Sequence, residues 1–126
     1  MVALNFQPQF ADDVEFGAKC QTIRRTARCK PGDRLQLYTG QRTTQCRKLR
    51  EATCRRVRPV RICDTEMWLD GERVYAGNAG RDDWGDFDND FAKRDGFDGF
   101  MEMAEWFRDR YGSLPFEGFV IEWNLD

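Results

Sequence analysis

Apolar and polar positions change rhythm along this 126-residue chain, and each change marks an element. Val2-Ala-Leu-Asn-Phe6 is a short, largely apolar run that reads as a strand. Over 9–16 the apolar residues Phe10, Ala11 and Val14 take helical spacing, and Gly17 suits the left-handed position that ends a helix. Residues 20–24 read as extended. Lys30-Pro-Gly-Asp33 is a turn, with proline fixing one dihedral and glycine accepting a positive φ. Arg34-Leu-Gln-Leu-Tyr-Thr39 alternates and predicts a strand. Over 46–63, Cys46, Ala52, Cys54, Val57, Val60 and Ile62 lie among arginines, which predicts one or two long strands with a wet basic face. Pro59 suggests an edge or a bulge there.

Glu66-Met-Trp-Leu69 and Glu72-Arg-Val-Tyr75 flank Asp70-Gly71, a dipeptide suited to a tight hairpin turn. Residues 77–90 read as an acidic loop, running into a short helix over 89–94. Asp98 suits the N-cap of a helix over 99–111 that carries Phe100, Met103, Ala104 and Phe107 on one face, with Gly112 closing it. A last strand over 116–123 puts Phe119, Ile121 and Trp123 on one face. No repeat or low-complexity linker interrupts the chain. The expectation is one α+β domain over 1–126, a small closed or half-closed β-barrel with flanking helices.

Composition narrows the chemistry. Apolar residues make up 40% and aromatics 13%, enough to build a core without disulfides. No apolar run approaches membrane-spanning length, and the acidic start lacks a leader pattern, so a soluble, cytoplasmic protein with no membrane partner is expected. The five cysteines form no C-x-x-C, and histidine is absent. Zinc is disfavoured by that ligand set, and the cysteines read as reduced, small apolar residues. No metal or cofactor is expected. Without histidine, Ser-His-Asp, Cys-His and two-histidine ribonuclease mechanisms are excluded. A catalyst here would have to use Lys, Asp, Glu, Tyr, Thr or Cys.

The net charge of −2 hides a segregation along the chain. Residues 17–61 hold fourteen Lys/Arg and two acids, whereas 62–126 hold six and seventeen. Either a basic face binds nucleic-acid phosphates, or the two segments pair with each other in the fold.

Candidate chemistry begins at Gly17-Ala-Lys-Cys-Gln-Thr-Ile-Arg-Arg25. In an extended segment Thr22 and Arg24 share a face. Lys19 joins them only if the strand starts after a turn, for which Gly17 is suited. A lysine whose pKa is lowered by like charge and desolvation acts as a base, and a threonine hydroxyl beside it as a nucleophile. Solvated basic residues are the plainer alternative. Arg24, Arg25, Arg42, Arg47 and Lys48 are candidate phosphate contacts, and Tyr38 and Trp84 candidate stacking residues. Trp106 and Trp123 sit in patterns that read as structural. Asp86-Phe-Asp-Asn-Asp90 invites a calcium reading, but the glycine and glutamate of the EF-hand loop are replaced by Phe91 and Phe97, leaving a solvated acidic loop.

Gly17-x-Lys19-x-x-Thr22-x-Arg24, Lys30-Pro-Gly-Asp33 before a strand, Asp95-Gly-Phe97 before a helix with Glu102, then Tyr111-Gly112 and a closing strand ending at Trp123, occur in the order of a known family. The chain resembles the ASCH domain family of the PUA-like β-barrel superfold over nearly its whole length. That resemblance implies a cleft for RNA or nucleosides. Some small bacterial members are amidohydrolases of N4-acylcytidine nucleosides that use a lysine, a threonine and a glutamate; others are described as ribonucleases. By motif the three positions fall on Lys19, Thr22 and Asp95, the last a methylene shorter than glutamate. The expectation is an RNA- or nucleotide-binding domain, monomeric, with a hydrolase (amidohydrolase or ribonuclease) as the alternative.

Overall fold

The computed structural model describes residues 2–63, 66–76, 95–97 and 100–125, and the architecture is α+β. Its elements are β1 (Val2–Phe6), α1 (Pro8–Phe16), β2 (Gln21–Arg24), β3 (Arg34–Thr39), β4 (Arg47–Ile62), β5 (Glu66–Leu69), β6 (Glu72–Ala76), α2 (Phe100–Tyr111) and β7 (Phe116–Leu125). The seven strands form one mixed sheet. β1 runs parallel to β3, and the other pairings are antiparallel.

β4 organises this sheet. At sixteen residues it is long enough to carry β3 and then β5 along one edge, while β7 takes the other edge from Ala52 to Ile62. The prediction of one or two strands over this region therefore resolves to one. A bulge lies at Arg55, since Cys54 pairs with Trp123 and Arg56 with Glu122. Side chains alternate faces along a strand, so one extra residue exchanges the faces. Ala52, Cys54 and Val57 accordingly contact the core beneath α1, and Val60 and Ile62 the core beneath α2. Pro59 is not the bulge. Its carbonyl accepts the Asp70 N–H at 3.0 Å, so its missing N–H faces the same edge, just before the β5 ladder begins at Val60.

The two cores lie at opposite ends of the β4–β7 ribbon. Leu4, Phe6, Phe10, Val14, Leu35 and Leu37 build one with Ile121 and Trp123; Met67, Leu69, Met103 and Phe107 build the other with Phe116 and Val120. Phe97 and Trp106 pack against both. Among the described residues, β1, β2 and β6 each pair along one edge, so these ladders do not close the expected barrel. A side chain spans part of the gap: Arg24 on β2 donates from Nη2 to the Asn5 carbonyl on β1 at 2.7 Å. Among the described residues, no helix is long and apolar enough to cross a membrane.

Candidate active site

The end of α1 sets the first half of the site. Gly17 adopts φ 87° and its N–H bonds the Val14 carbonyl, while the Lys19 N–H bonds the Asp13 carbonyl at 2.9 Å. The chain thus turns before β2 begins at Gln21, which frees Lys19 from strand alternation. Within β2, Thr22 and Arg24 share a face, and Arg24 Nε donates to Thr22 Oγ1 at 3.1 Å.

Asp95-Gly96-Phe97 supplies the second half. Gly96 has φ 95°, and a Cβ there would lie 2.8 Å from Phe10 Cδ1, so only glycine lets this turn settle against the α1 ring. Asp95 is thereby brought to Lys19, seventy-six residues away in sequence. Lys19 Nζ lies 3.4 Å from Asp95 Oδ1 and also donates to the Asp95 carbonyl. Gln21 Nε2 reaches Oδ1 at 3.5 Å.

Lys19, Thr22 and Asp95 are only 2%, 5% and 3% exposed. Burial pulls the Lys19 pKa below its ordinary value, against the opposing charge and hydrogen bond of Asp95. Burial likewise pushes Asp95 up, against Lys19. Both shifts favour uncharged forms. As an ammonium Lys19 pairs with the Asp95 carboxylate; once deprotonated, the amine still has two N–H donors for the Asp95 contacts and gains a lone pair that can take a proton. The Lys19 Nζ lies 4.9 Å from the Phe10 ring centroid and 5.9 Å from that of Phe6, contacts that favour the cation in part.

These groups line a cavity of about 210 Å³ along the outer edge of β2. Lys19, Thr22, Arg24 and Asp95 lie in its polar part with Asn5, Gln7 and Arg110, and Phe6, Phe10, Phe97, Trp106 and Tyr111 wall it with rings. It is smaller than the roughly 300–1,000 Å³ of drug-sized pockets. One planar ring with a substituent suits that volume better than a length of chain. Chemically the arrangement offers a base of lowered pKa, a hydroxyl already receiving a cationic hydrogen bond, and a carboxyl that holds the base.

The other predicted contacts are dispersed. Arg25 is exposed, its guanidinium carbon 4.7 Å from the Tyr111 ring centroid. Tyr38 is half-buried and donates to Gln36 Oε1 at 3.2 Å. Arg42 is exposed in the β3–β4 loop with φ 68°; that loop is tied to the cavity lining where the Gln41 N–H bonds Asn5 Oδ1. Arg47 is paired with Glu15, and Lys48 with Glu51 at 2.8 Å. Trp84, the 86–90 acidic run and the helix expected over 89–94 lie outside the described residues. Much of the charge segregation resolves into pairing between elements: Arg56 and Arg58 both bond Glu122, at 2.8 and 3.1 Å, and Arg61 faces Glu117 at 3.7 Å.

Sequence reasoning did not single out Asn5, Gln21 or Arg110, and had Tyr111 only as part of the motif order, not as a site residue; all four line or brace the cavity. Trp106, read as structural, packs in the core and also walls the cavity. An arginine and an aromatic residue ending α2, beside its closing glycine, were the available signal for Arg110 and Tyr111. None of the five cysteines is in a disulfide, and among the described residues no three His, Cys, Asp or Glu side chains gather as metal ligands would. No protein-family model matches the chain, and neither a curated protein nor a solved structure does.

Proposed function

We propose that the ring-walled cavity is the active site of a small ASCH-type hydrolase that cleaves an amide carried on the base of a nucleoside or nucleotide. The observation that carries this reading is the buried Lys19–Asp95 pair sharing a cavity with an Arg24-bonded Thr22. Neutral Lys19 takes the Thr22 proton as Oγ1 attacks the amide carbon. Arg24 stabilises the negative charge on the oxygen. Collapse breaks the C–N bond, and the proton held by Lys19 leaves with the amine. Water, deprotonated by the same lysine, then releases the acyl group from Thr22 as a carboxylic acid. Asp95 keeps the amine oriented through both steps.

An acylated cytidine tests this. Wild type hydrolyses it with a rate that rises with pH through the Lys19 pKa, which lies below 10.5. Lys19→Arg keeps the charge but cannot deprotonate, and Thr22→Ala lacks the nucleophile, so each loses activity by at least about a hundredfold. Full activity in Lys19→Arg refutes the mechanism.

A second reading, binding of RNA or a nucleotide without chemistry, draws on Arg24 and Arg110 beside rings that can stack a base. Salt-dependent binding of a nucleotide by a chain that leaves acylated cytidine intact favours it.

A further inference from the structure

Two larger cavities continue from the active-site cavity along the surface. The first, about 370 Å³, shares Tyr111 with the active site and is lined also by Arg25 and Ser113. The second, about 460 Å³, shares Arg25 and Glu117 with the first. The shared residues are in contact, because the Arg25 guanidinium stacks on the Tyr111 ring. The series therefore runs from rings, through a polar stretch with an exposed cation and a hydroxyl, to a second apolar hollow.

That hollow is built by the register of three strands. Trp68 on β5 pairs with Arg61 on β4, which pairs with Glu117 on β7; one step along, Pro59 pairs with Phe119. Trp68 and Phe119 are half-buried, so each offers part of a ring to solvent. Gly118 lies between Glu117 and Phe119, and a Cβ there would lie 2.3 Å from the Arg24 carbonyl. Arg61 and Arg25 are exposed at the hollow, against one carboxylate, Glu117, held loosely 3.7 Å from Arg61. Rings with cations between them match the alternation of bases and phosphates in a single strand.

We propose that the hollow at Trp68 and Phe119 receives the base next to the one in the active-site cavity, with their linking phosphate at Arg25 and Ser113, so that the ligand is a single-stranded oligonucleotide. This rests on the reading of the first cavity as a nucleobase site. The second base stacks on Trp68. Arg61 meets the following phosphate. Duplex is not accommodated, because its bases are stacked on one another and unavailable to the rings.

The test compares affinity for a fluorescein-labelled heptamer oligoribonucleotide with affinity for the corresponding mononucleotide, by anisotropy and competition. The wild-type ratio favours the heptamer by at least about a hundredfold at low salt and shrinks as salt rises. Trp68→Ala lowers that ratio about tenfold, the scale of one base–aromatic stack, while Trp68→Phe keeps most of it. Arg61→Gln, at a side chain about half exposed, lowers it severalfold without disturbing a core. A ratio near one in wild type, or ratios unchanged in Trp68→Ala and Arg61→Gln, overturns the second site. Lys19→Arg separates the two claims. If that variant still hydrolyses acylated cytidine while Trp68→Ala lowers the ratio, the hydrolase mechanism falls and the oligonucleotide site stands; a dead Lys19→Arg with unchanged ratios gives the reverse.

Discussion

Replacing Lys19 by methionine keeps an unbranched apolar stem and deletes the ammonium group. The native pair is 3.4 Å apart, with side chains 3% and 4% exposed. At an effective dielectric near 20, charges at that distance attract by about 5 kcal/mol, and removing each ion from water costs several kcal/mol in return. The pair as a whole therefore contributes little net stability, but one member alone is expensive. Lys19→Met leaves the Asp95 carboxyl buried without its cation, for a loss of about 3–5 kcal/mol at pH 7. With an unfolding entropy of roughly 2.1 cal/mol/K per residue, this corresponds to a Tm about 11–19 °C lower. Adding Asp95→Asn removes the stranded charge and returns the double variant to within about 2 kcal/mol of wild type. The pH dependence has a definite sign. Burial raises the folded Asp95 pKa above its ordinary 3.8, and losing Lys19 raises it further. Below 3.8 the carboxyl is protonated in both folded and unfolded chains, so the cost is small there; it grows as pH rises through the window above 3.8. Urea unfolding at pH 4 and pH 7 measures this. A single-variant loss under about 1 kcal/mol at pH 7, a loss indifferent to pH, or a double variant no better than the single one would refute the reasoning.

Two further substitutions probe how the site is held. Gly96→Ala forces a side chain into φ 95° and to 2.8 Å from Phe10 Cδ1; a loss of about 2–4 kcal/mol by thermal melting is expected, together with lowered hydrolysis as Phe10 shifts against Lys19. Glu122→Gln weakens the anchor of Arg56 and Arg58, for a loss of about 2 kcal/mol at neutral pH. Burial pushes the Glu122 carboxyl up, but the Arg56 hydrogen bond and the charges of Arg58 and Arg56 outweigh it and the net shift is downward. The wild-type advantage is thus present above the ordinary 4.5 and fades as pH falls below it, so the two melting curves converge in acid.

Local features were legible in the sequence where short-range physics decides them. The β3 alternation, the Asp70-Gly71 turn with φ 55° and 81°, and the glycine ends of α1 and α2 coincide with the expected positions. The Arg55 bulge was not legible, because no glycine or proline marks it and the proline nearby sits in regular pairing with Phe119. The charge segregation was ambiguous for a related reason. Blocks in sequence do not say which strands become neighbours, and β7 carries Glu117 and Glu122 alongside the arginines of β4. At the candidate site, Lys19 and Thr22 stood out by residue type. Asp95 was reached through a motif rather than through spacing, since the contact spans seventy-six residues. The ring walls were hidden because Phe6 and Phe10 follow the same periodicity as any core residue.

The unpaired residue at Arg55 has a consequence for how this chain tolerates changes in length. Strand facing counts in twos, and β7 opposite carries no matching extra residue, so Arg55 lies outside the count that sets which side chains face the α1 and α2 halves. Deleting it would leave the Cys54–Trp123 and Arg56–Glu122 pairs and every pair beyond them in place, so Val60 and Ile62 would stay inward and Arg61 outward. Inserting a single residue anywhere from 56 to 60 would instead turn the residues after it to the opposite face, whereas a two-residue insertion would slide the pairing without turning any side chain over. Insertions in this strand should therefore be harmful by their oddness more than by their size, while loss of Arg55 itself should be tolerated.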